Sequence, residues 1–468
     1  MRHPLPRAVL AVALALLAAC SDDAPAPLAP AAPAASAAQD PQVPGRSQQR
    51  PGTLADLPDA ELWRYVAAGD GRVAVGLRSP GASRGVYRGR VLVSRSDWSQ
   101  GRAAVAAQRG VTLLRADTLL PVLELRLDGP AALAAVRRLP FVDYVEPVFG
   151  DPMPQQFAGV GGCGWGSAWT GDRQYTSSGD VYSQKWTAMN IPAAWTLSSG
   201  AGVTVGLTDT GISANQAQLL SQFATGESTG RSVRLFYLTH LGSAYDECGH
   251  GTRMAGIIAA PRDGRSVGGV AYRANLVSVR QASGVAAVSA SDAAGSVRAA
   301  AQNGSQIVVM AWESLNWLWQ VSDEIEYWHY NRPVLFLGAA GTSGCGDGIL
   351  DSNVIFPADM PEVVAVTGIT YPGGGVPCGI HYGSDVELTA YLSVPSTGQY
   401  TADIVEMGGS SNATAVMGGI AALVWSRNPG LTRDQLRARL QQSGSYYPSR
   451  HSQQGYGLVN ALKAVRGY

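Results

Sequence analysis

From about residue 202 onward the chain keeps returning to one pattern, a short apolar run followed by a polar break and a helical stretch. The runs are GVTVGLTD, ANLVSVRQ, QIVVMAW, PVLFLGAAG, VVAVTGI and VELTAY. They are too short to be buried helices, and QIVVMAW, PVLFLGAAG and VVAVTGI run apolar without the alternation of a half-exposed strand. Strands apolar on both sides need cover on both faces, which is the situation of a parallel sheet. The stretches between them, GTRMAGIIAA, AAGSVRAAAQNG and VSDEIEYWHYN, read as helices able to provide that cover. Residues 187–468 are therefore expected to form an α/β domain around a mostly parallel sheet flanked by helices.

The region before this domain has other textures. MRHPLPRAVLAVALALLAAC pairs a basic start with an apolar stretch too short for a comfortable membrane span, so residues 1–20 read as an export signal. Its LAAC ending resembles a bacterial lipoprotein box, with Cys20 as the lipidated residue and membrane anchor. An ordinary signal with an incidental cysteine is the alternative. Residues 21–58 are rich in Pro, Ala and Ser, the composition of a flexible tether.

Residues 59–150 read as a small α+β unit, helices on one side of an antiparallel sheet. LWRYVAAGDGRVAVGLRS begins helical or extended, and GVYRGRVLVS alternates like a strand. SDWSQGRAAVAAQRG is a helix, TLLPVLELRLDG a strand, PAALAAVRRLP a helix opened by Pro130, and FVDYVEPV a closing strand. Residues 151–186, with GGCGWGSAWTGD, show no periodicity and read as an irregular, exposed segment pinned by Cys163.

Export makes the cysteines candidates for disulfides. Without Cys20 four remain, Cys163, Cys248, Cys345 and Cys378, and they allow three pairings. The loop-sized separation favours Cys345 with Cys378, leaving Cys163 for Cys248. A zinc site is the rival, unsupported by any C-x-x-C spacing or His cluster. Charge is balanced at 35 basic and 35 acidic residues, which gives no reason to expect a nucleic acid partner.

Three places carry candidate chemistry. Asp209 ends the run VTVGLTD, where open α/β sheets place their sites, although an Asp there also caps turns. His250 lies in CGHGTRMAG at a helix start, between glycines that suit close backbone approach better than a simple cap. In GSSNATAVMGGIAALVW the side chains are tiny, as in a helix packed hard against a sheet or run through the centre of a domain. Ser410 and Ser411 stand at its start, beside unsatisfied N–H groups that can stabilise a negative oxygen or merely receive a cap. GRSVG at 264–268 fits a G-x-S-x-G pattern but follows no strong strand, so it reads as chance.

The order Asp209, His250, Ser411 suits an acid, base and nucleophile assembled at strand ends. Here the chain resembles the subtilisin-like serine proteases, the subtilases. GLTDTGI resembles their aspartate motif and CGHGTRMAG their histidine motif, with Arg253 where the family usually repeats His. GSSNATAVMGGIAAL resembles their serine motif, with Ser410 at the threonine position and Asn412 and Ala415 replacing Met and Pro. GYGLVNALKAV is similar to the closing helix, and residues 59–150 are similar to the family's inhibitory propeptide.

The resemblance implies an exported serine endopeptidase acting on protein or peptide substrates. Asp209 would orient His250, and His250 would deprotonate Ser411. The oxyanion would be held by the Ser411 N–H and by Thr342, which stands in GAAGTSG where the family has Asn. Ala311, Trp312 and Glu313 would form the peptide-binding edge, with Ala339, Ala340 and Gly341 near the first specificity pocket. Trp312 either lines the cleft or fills the core. The chemistry requires no cofactor, and no spaced acidic ligand set supports a structural calcium. A serine esterase on the same fold and an inactive surface binding protein are the competing functions.

Overall fold

The structure, a computed structural model, describes residues 53–81, 93–148, 163–164, 166–284, 289–345 and 352–467. The signal, Cys20, almost all of the tether and most of GVYRGRVLVS lie outside the described residues, as do 149–162. Among the described residues no helix is long and apolar enough to cross a membrane.

The larger sheet has seven parallel strands. From one edge to the other they are Leu388–Tyr391, Val363–Ile369, Leu335–Ala339, Ile307–Met310, Thr204–Asp209, Asn275–Arg280 and Val233–Tyr237. Six are the apolar runs of the sequence. The edge strand Val233–Tyr237 was not anticipated. Its side chains are half-buried or exposed, so it lacks the continuous apolar run of a central strand.

One face of this sheet is covered by the helix Ser410–Arg427, buried from Ser410 to Trp425. Its composition follows from how closely it packs. A Cβ on Gly418 would lie 2.5 Å from a Val309 methyl, and one on Gly419 would lie 2.5 Å from the Val270 Cβ. Only residues without side chains fit at such approach. The helix His250–Ala259 is likewise buried along its whole length and shares the same core cluster. Helices Ala290–Gln302 and Trp319–Asn331 belong to a second cluster that includes Val277, Val308 and Phe336 of the sheet.

Among the described residues, 53–81 and 93–148 form a four-stranded antiparallel sheet ordered Val111–Ala116, Val122–Leu127, Arg72–Leu77, Val142–Pro147. Helices Asp59–Ala68 and Pro130–Arg137 contribute Leu62, Val66, Leu133 and Val136 to its core. The helix Arg95–Ala106 is capped by Ser94, whose Oγ accepts from the Asp97 N–H. The missed strand, Val111–Ala116, is again an edge strand.

This unit docks on the larger one through Val142–Pro147 and the helix Trp319–Asn331. Glu146 accepts the Trp319 and Gln320 N–H groups, both at 2.8 Å, so a carboxylate from one sheet caps a helix of the other unit. Tyr144 stacks on Trp319 and donates to Asp323 at 2.7 Å. Arg298 joins Asp117 at 2.6 Å and Glu324 at 2.7 Å.

Both expected disulfides are formed, Cys163–Cys248 and Cys345–Cys378. The segment after Cys163 is irregular but not all surface, because Trp169 and Trp186 are buried. Ser167–Ala168 adds a third strand to the hairpin of Val394–Thr397 and Ile404–Met407, none of which was anticipated.

Candidate active site

Asp209 is the last residue of its central strand, 3% exposed. Its Oδ1 accepts the Thr210 N–H at 2.7 Å, which fixes the carboxylate plane. The ring of His250 meets that carboxylate through Nδ1, 2.8 Å from Oδ1 and 2.9 Å from Oδ2. Thr210 ties the two elements together a second time, its Oγ1 accepting the Gly251 N–H at 2.9 Å.

The turn delivering His250 depends on Gly249 (φ 91°) and on Asp246, which sequence reasoning did not single out. Asp246 Oδ1 accepts the N–H groups of Cys248 and Gly249, at 2.8 and 2.7 Å. Its Oδ2 accepts the Thr252 N–H at 2.9 Å and the Thr252 hydroxyl at 2.6 Å. One buried carboxylate thus organises the whole entry to the helix. The available signal was an Asp a few residues ahead of a Gly-His-Gly turn, in DECGHGT. Arg253, at the place of the family's second His, donates to the Gly164 carbonyl beside the Cys163–Cys248 bridge.

Ser411 is in the first turn of the buried helix, and its hydroxyl is turned to the Ala311 carbonyl at 3.0 Å. The segment Ala311–Glu313 leaves the strand Ile307–Met310 at the same sheet end as Asp209. Thr342 Oγ1 accepts the Ser410 N–H at 3.0 Å and shares a hydrogen with Ser410 Oγ at 3.1 Å. Ser410 Oγ in turn accepts the Gly341 N–H at 3.1 Å. Ser410, which the sequence offers as a helix cap and at the motif's threonine position, is the link between the helix start and the Gly341–Thr342 loop.

The remaining candidates separate by burial. Trp312 is 3% exposed, belongs to the core cluster, and donates from its indole to Thr208 at 2.9 Å. Ala339 and Ala340 are buried as well. Glu313 is half-buried, and its Oε1 accepts the Thr342 N–H at 3.1 Å. Burial pushes its carboxyl up to about 7, against the opposing pull of the Thr342 N–H and the His250 ring. Among the described residues no group of three or more His, Cys, Asp or Glu is placed to hold a metal ion.

The subtilase family model matches residues 200–457, more than half of the chain. A thermostable alkaline protease of Halalkalibacterium halodurans is 32% identical over 269 residues, 57% of this chain and 68% of that protein. Subtilisin Savinase of Lederbergia lenta is 29% identical over 272 residues, again 57% of this chain and 92% of the relative. Among solved structures, fervidolysin from Fervidobacterium pennivorans shares the fold with a TM-score of 0.62 at 18% identity. That match spans 85% of this chain, more than residues 187–468 alone, and 61% of the other. A strand-end aspartate on a helix-start histidine, a serine opening a buried small-residue helix, and these matches lead to one conclusion. The chain belongs to the subtilase family of subtilisin-like serine endopeptidases.

Proposed function

We propose that Asp209, His250 and Ser411 form the catalytic triad of an exported endopeptidase that hydrolyses protein or peptide substrates. The observation that carries this is the close Asp209–His250 pair, buried at a strand end. With Asp209 accepting from Nδ1–H, the imidazole presents Nε2 as a base. Ser411 Oγ leaves the Ala311 carbonyl, gives its proton to His250, and attacks the substrate carbonyl. The same proton passes to the leaving amine, and water then releases the acyl group by the reverse sequence.

The oxyanion would form near the first turn of Ser410–Arg427, where the Ser411 N–H has no helical partner. Thr342 is the second donor. Its Oγ1 already accepts from the Ser410 N–H, and Ser410 Oγ accepts from Gly341. If Ser410 gives its own hydrogen to Thr342, the Thr342 hydrogen is left for the oxyanion. Ala311 and Glu313 supply the edge along which the peptide lies, with Gly341 closing the first pocket; Trp312, Ala339 and Ala340 shape these walls from beneath.

Residues 59–150 act in this reading as an inhibitory propeptide, supported by the docking of Val142–Pro147 on the helix Trp319–Asn331. Cleavage after about residue 150 would part the enzyme from its tether and from the lipid anchor at Cys20. A mature fraction still beginning at Cys20 would rule out that release.

The test compares the full chain with its Ser411→Ala variant. A fluorophosphonate probe should label only the former, and processing of the N-terminal unit should stop in the latter. Processing at an unchanged rate in the variant would remove self-cleavage, and labelling of the variant would remove Ser411 as nucleophile.

A further inference from the structure

We propose that Glu313 sets the charge preference of the first substrate pocket, selecting a basic side chain on the residue whose carbonyl is attacked. This rests on the assignment of Ser411 and Thr342 above and adds the substrate class. One hydrogen bond, its place in the chain and an electrostatic influence put Glu313 at the reacting centre. It follows by two residues the Ala311 carbonyl that receives the Ser411 hydroxyl. Its carboxyl accepts the N–H of Thr342, the residue whose hydroxyl faces the Ser411 turn. It is also close enough to His250 for the ring to act on its ionisation.

A carboxylate in that position has two consequences. It opposes the negative charge that builds on the substrate oxygen as Ser411 attacks, because both would lie beside Thr342, one at its N–H and the other at its hydroxyl. The repulsion is relieved when the substrate brings its own cation into the pocket, or when Glu313 takes up a proton. A lysine or arginine side chain therefore contributes more to the transition state than an apolar side chain of similar size. The discrimination appears mainly in kcat, since the opposing charge develops only in the transition state.

The pH dependence follows in sign. With its carboxyl held near 7, Glu313 is neutral in mildly acidic solution and charged in alkaline solution. Preference for a basic residue should rise with pH through neutrality. The ionisable group acting on Glu313 is His250, from the helix His250–Ala259, with Asp209 behind it. From the loop after Leu335–Ala339 comes the uncharged Thr342 N–H, and the helix Ser410–Arg427 brings the hydroxyls of Ser410 and Ser411 to this corner. The His250 base serves every substrate alike, so its contribution cancels in a ratio of two peptides.

The experiment uses the self-processed enzyme and peptides identical except for Arg or Leu at the cleaved residue. The ratio of their kcat/KM values is followed from pH 5.5 to 9, in the wild type and in Glu313→Gln, which keeps an acceptor for the Thr342 N–H. The wild-type ratio should climb about tenfold or more across neutrality, and the variant should gain activity on the Leu peptide and show a flat ratio. Glu313→Asp, with its charge drawn back, should fall between. A flat wild-type ratio, or an unchanged climb in Glu313→Gln, would overturn the proposal. Fluorophosphonate labelling of both proteins separates the two levels. Labelled enzyme without the pH effect rejects the role of Glu313 alone, whereas absence of labelling rejects the nucleophile and this role with it.

Discussion

The two sheets of this protein solve the problem of covering a strand in different ways. The seven-stranded parallel sheet is sandwiched between helices of its own unit, so its central strands are apolar on both faces. The four-stranded antiparallel sheet covers one face with its own helices and uses the neighbouring unit for the other. Its strand Val142–Pro147 is buried at every residue, yet carries Asp143, Tyr144 and Glu146. Those polar residues would mark an exposed face if the unit stood alone. Here Tyr144 and Glu146 are the contact surface, Tyr144 in the same apolar cluster as Trp319 and Phe336, while Asp143 pairs with Arg78 of its own unit. A polar strand face can thus be a docking face whose groups are matched elsewhere in the chain.

The contrast predicts where the molecule is sensitive. The largest effect belongs to the chemistry of the parallel sheet's end. Ser411→Ala should lower kcat by on the order of a millionfold while leaving both sheets folded, measured as peptide turnover beside circular dichroism. Thr342→Val, which keeps the shape and removes the hydroxyl, should lower kcat about a hundredfold with little change in KM. A kcat within twofold of the parent would show that the oxyanion has another donor.

The docking face should respond to pH through Glu146 and Asp323. Burial raises Glu146 from its ordinary 4.5 to about 7, and burial also raises Asp323, with Glu326, Glu146 and Asp143 adding to the rise against the Tyr144 hydrogen bond. A carboxyl raised in the docked state favours docking fully below its free value and loses that advantage as pH climbs through the docked one. The processed N-terminal unit should therefore hold tighter at pH 5 than at pH 8, by roughly 3 kcal/mol for Glu146 fully freed on release. Co-elution of the two pieces on a sizing column at each pH reads this directly, and Glu146→Gln should flatten it.

Packing gives smaller effects. Gly419→Val would drive a side chain into Val270 and should cost about 1–3 kcal/mol in denaturant unfolding, more if the helix cannot shift. Leu114→Thr, on the exposed side of an edge strand of the antiparallel sheet, should stay within about 0.5 kcal/mol. Equal costs at these two positions would erase the distinction between the sheets.

Legibility in the sequence followed burial. The six strands recognised in the large sheet are buried along nearly their whole length, the edge strand Leu388–Tyr391 included, while Val111–Ala116 and Val233–Tyr237 are half-exposed and blend with loop sequence. At the site, Asp209, His250 and Ser411 stood out because glycines and small residues surround them in recognisable order. Asp246 did not, and the partners of Ser410 could not be read, since the importance of both lies in which N–H and hydroxyl groups they meet.

The sequence by itself determined the α/β architecture and, through the resemblance of its motifs, the three residues proposed for catalysis, and it favoured one cysteine pairing out of three, because apolar spacing, turn chemistry and separation are written along the chain. Only the tertiary structure decided that Trp312 packs inward, that Glu313 leans on the Thr342 N–H, and that Glu146 caps a helix of the other unit. Those are meetings between residues far apart in order, and whether a carboxyl there is charged depends on the water removed from it, which no local pattern records.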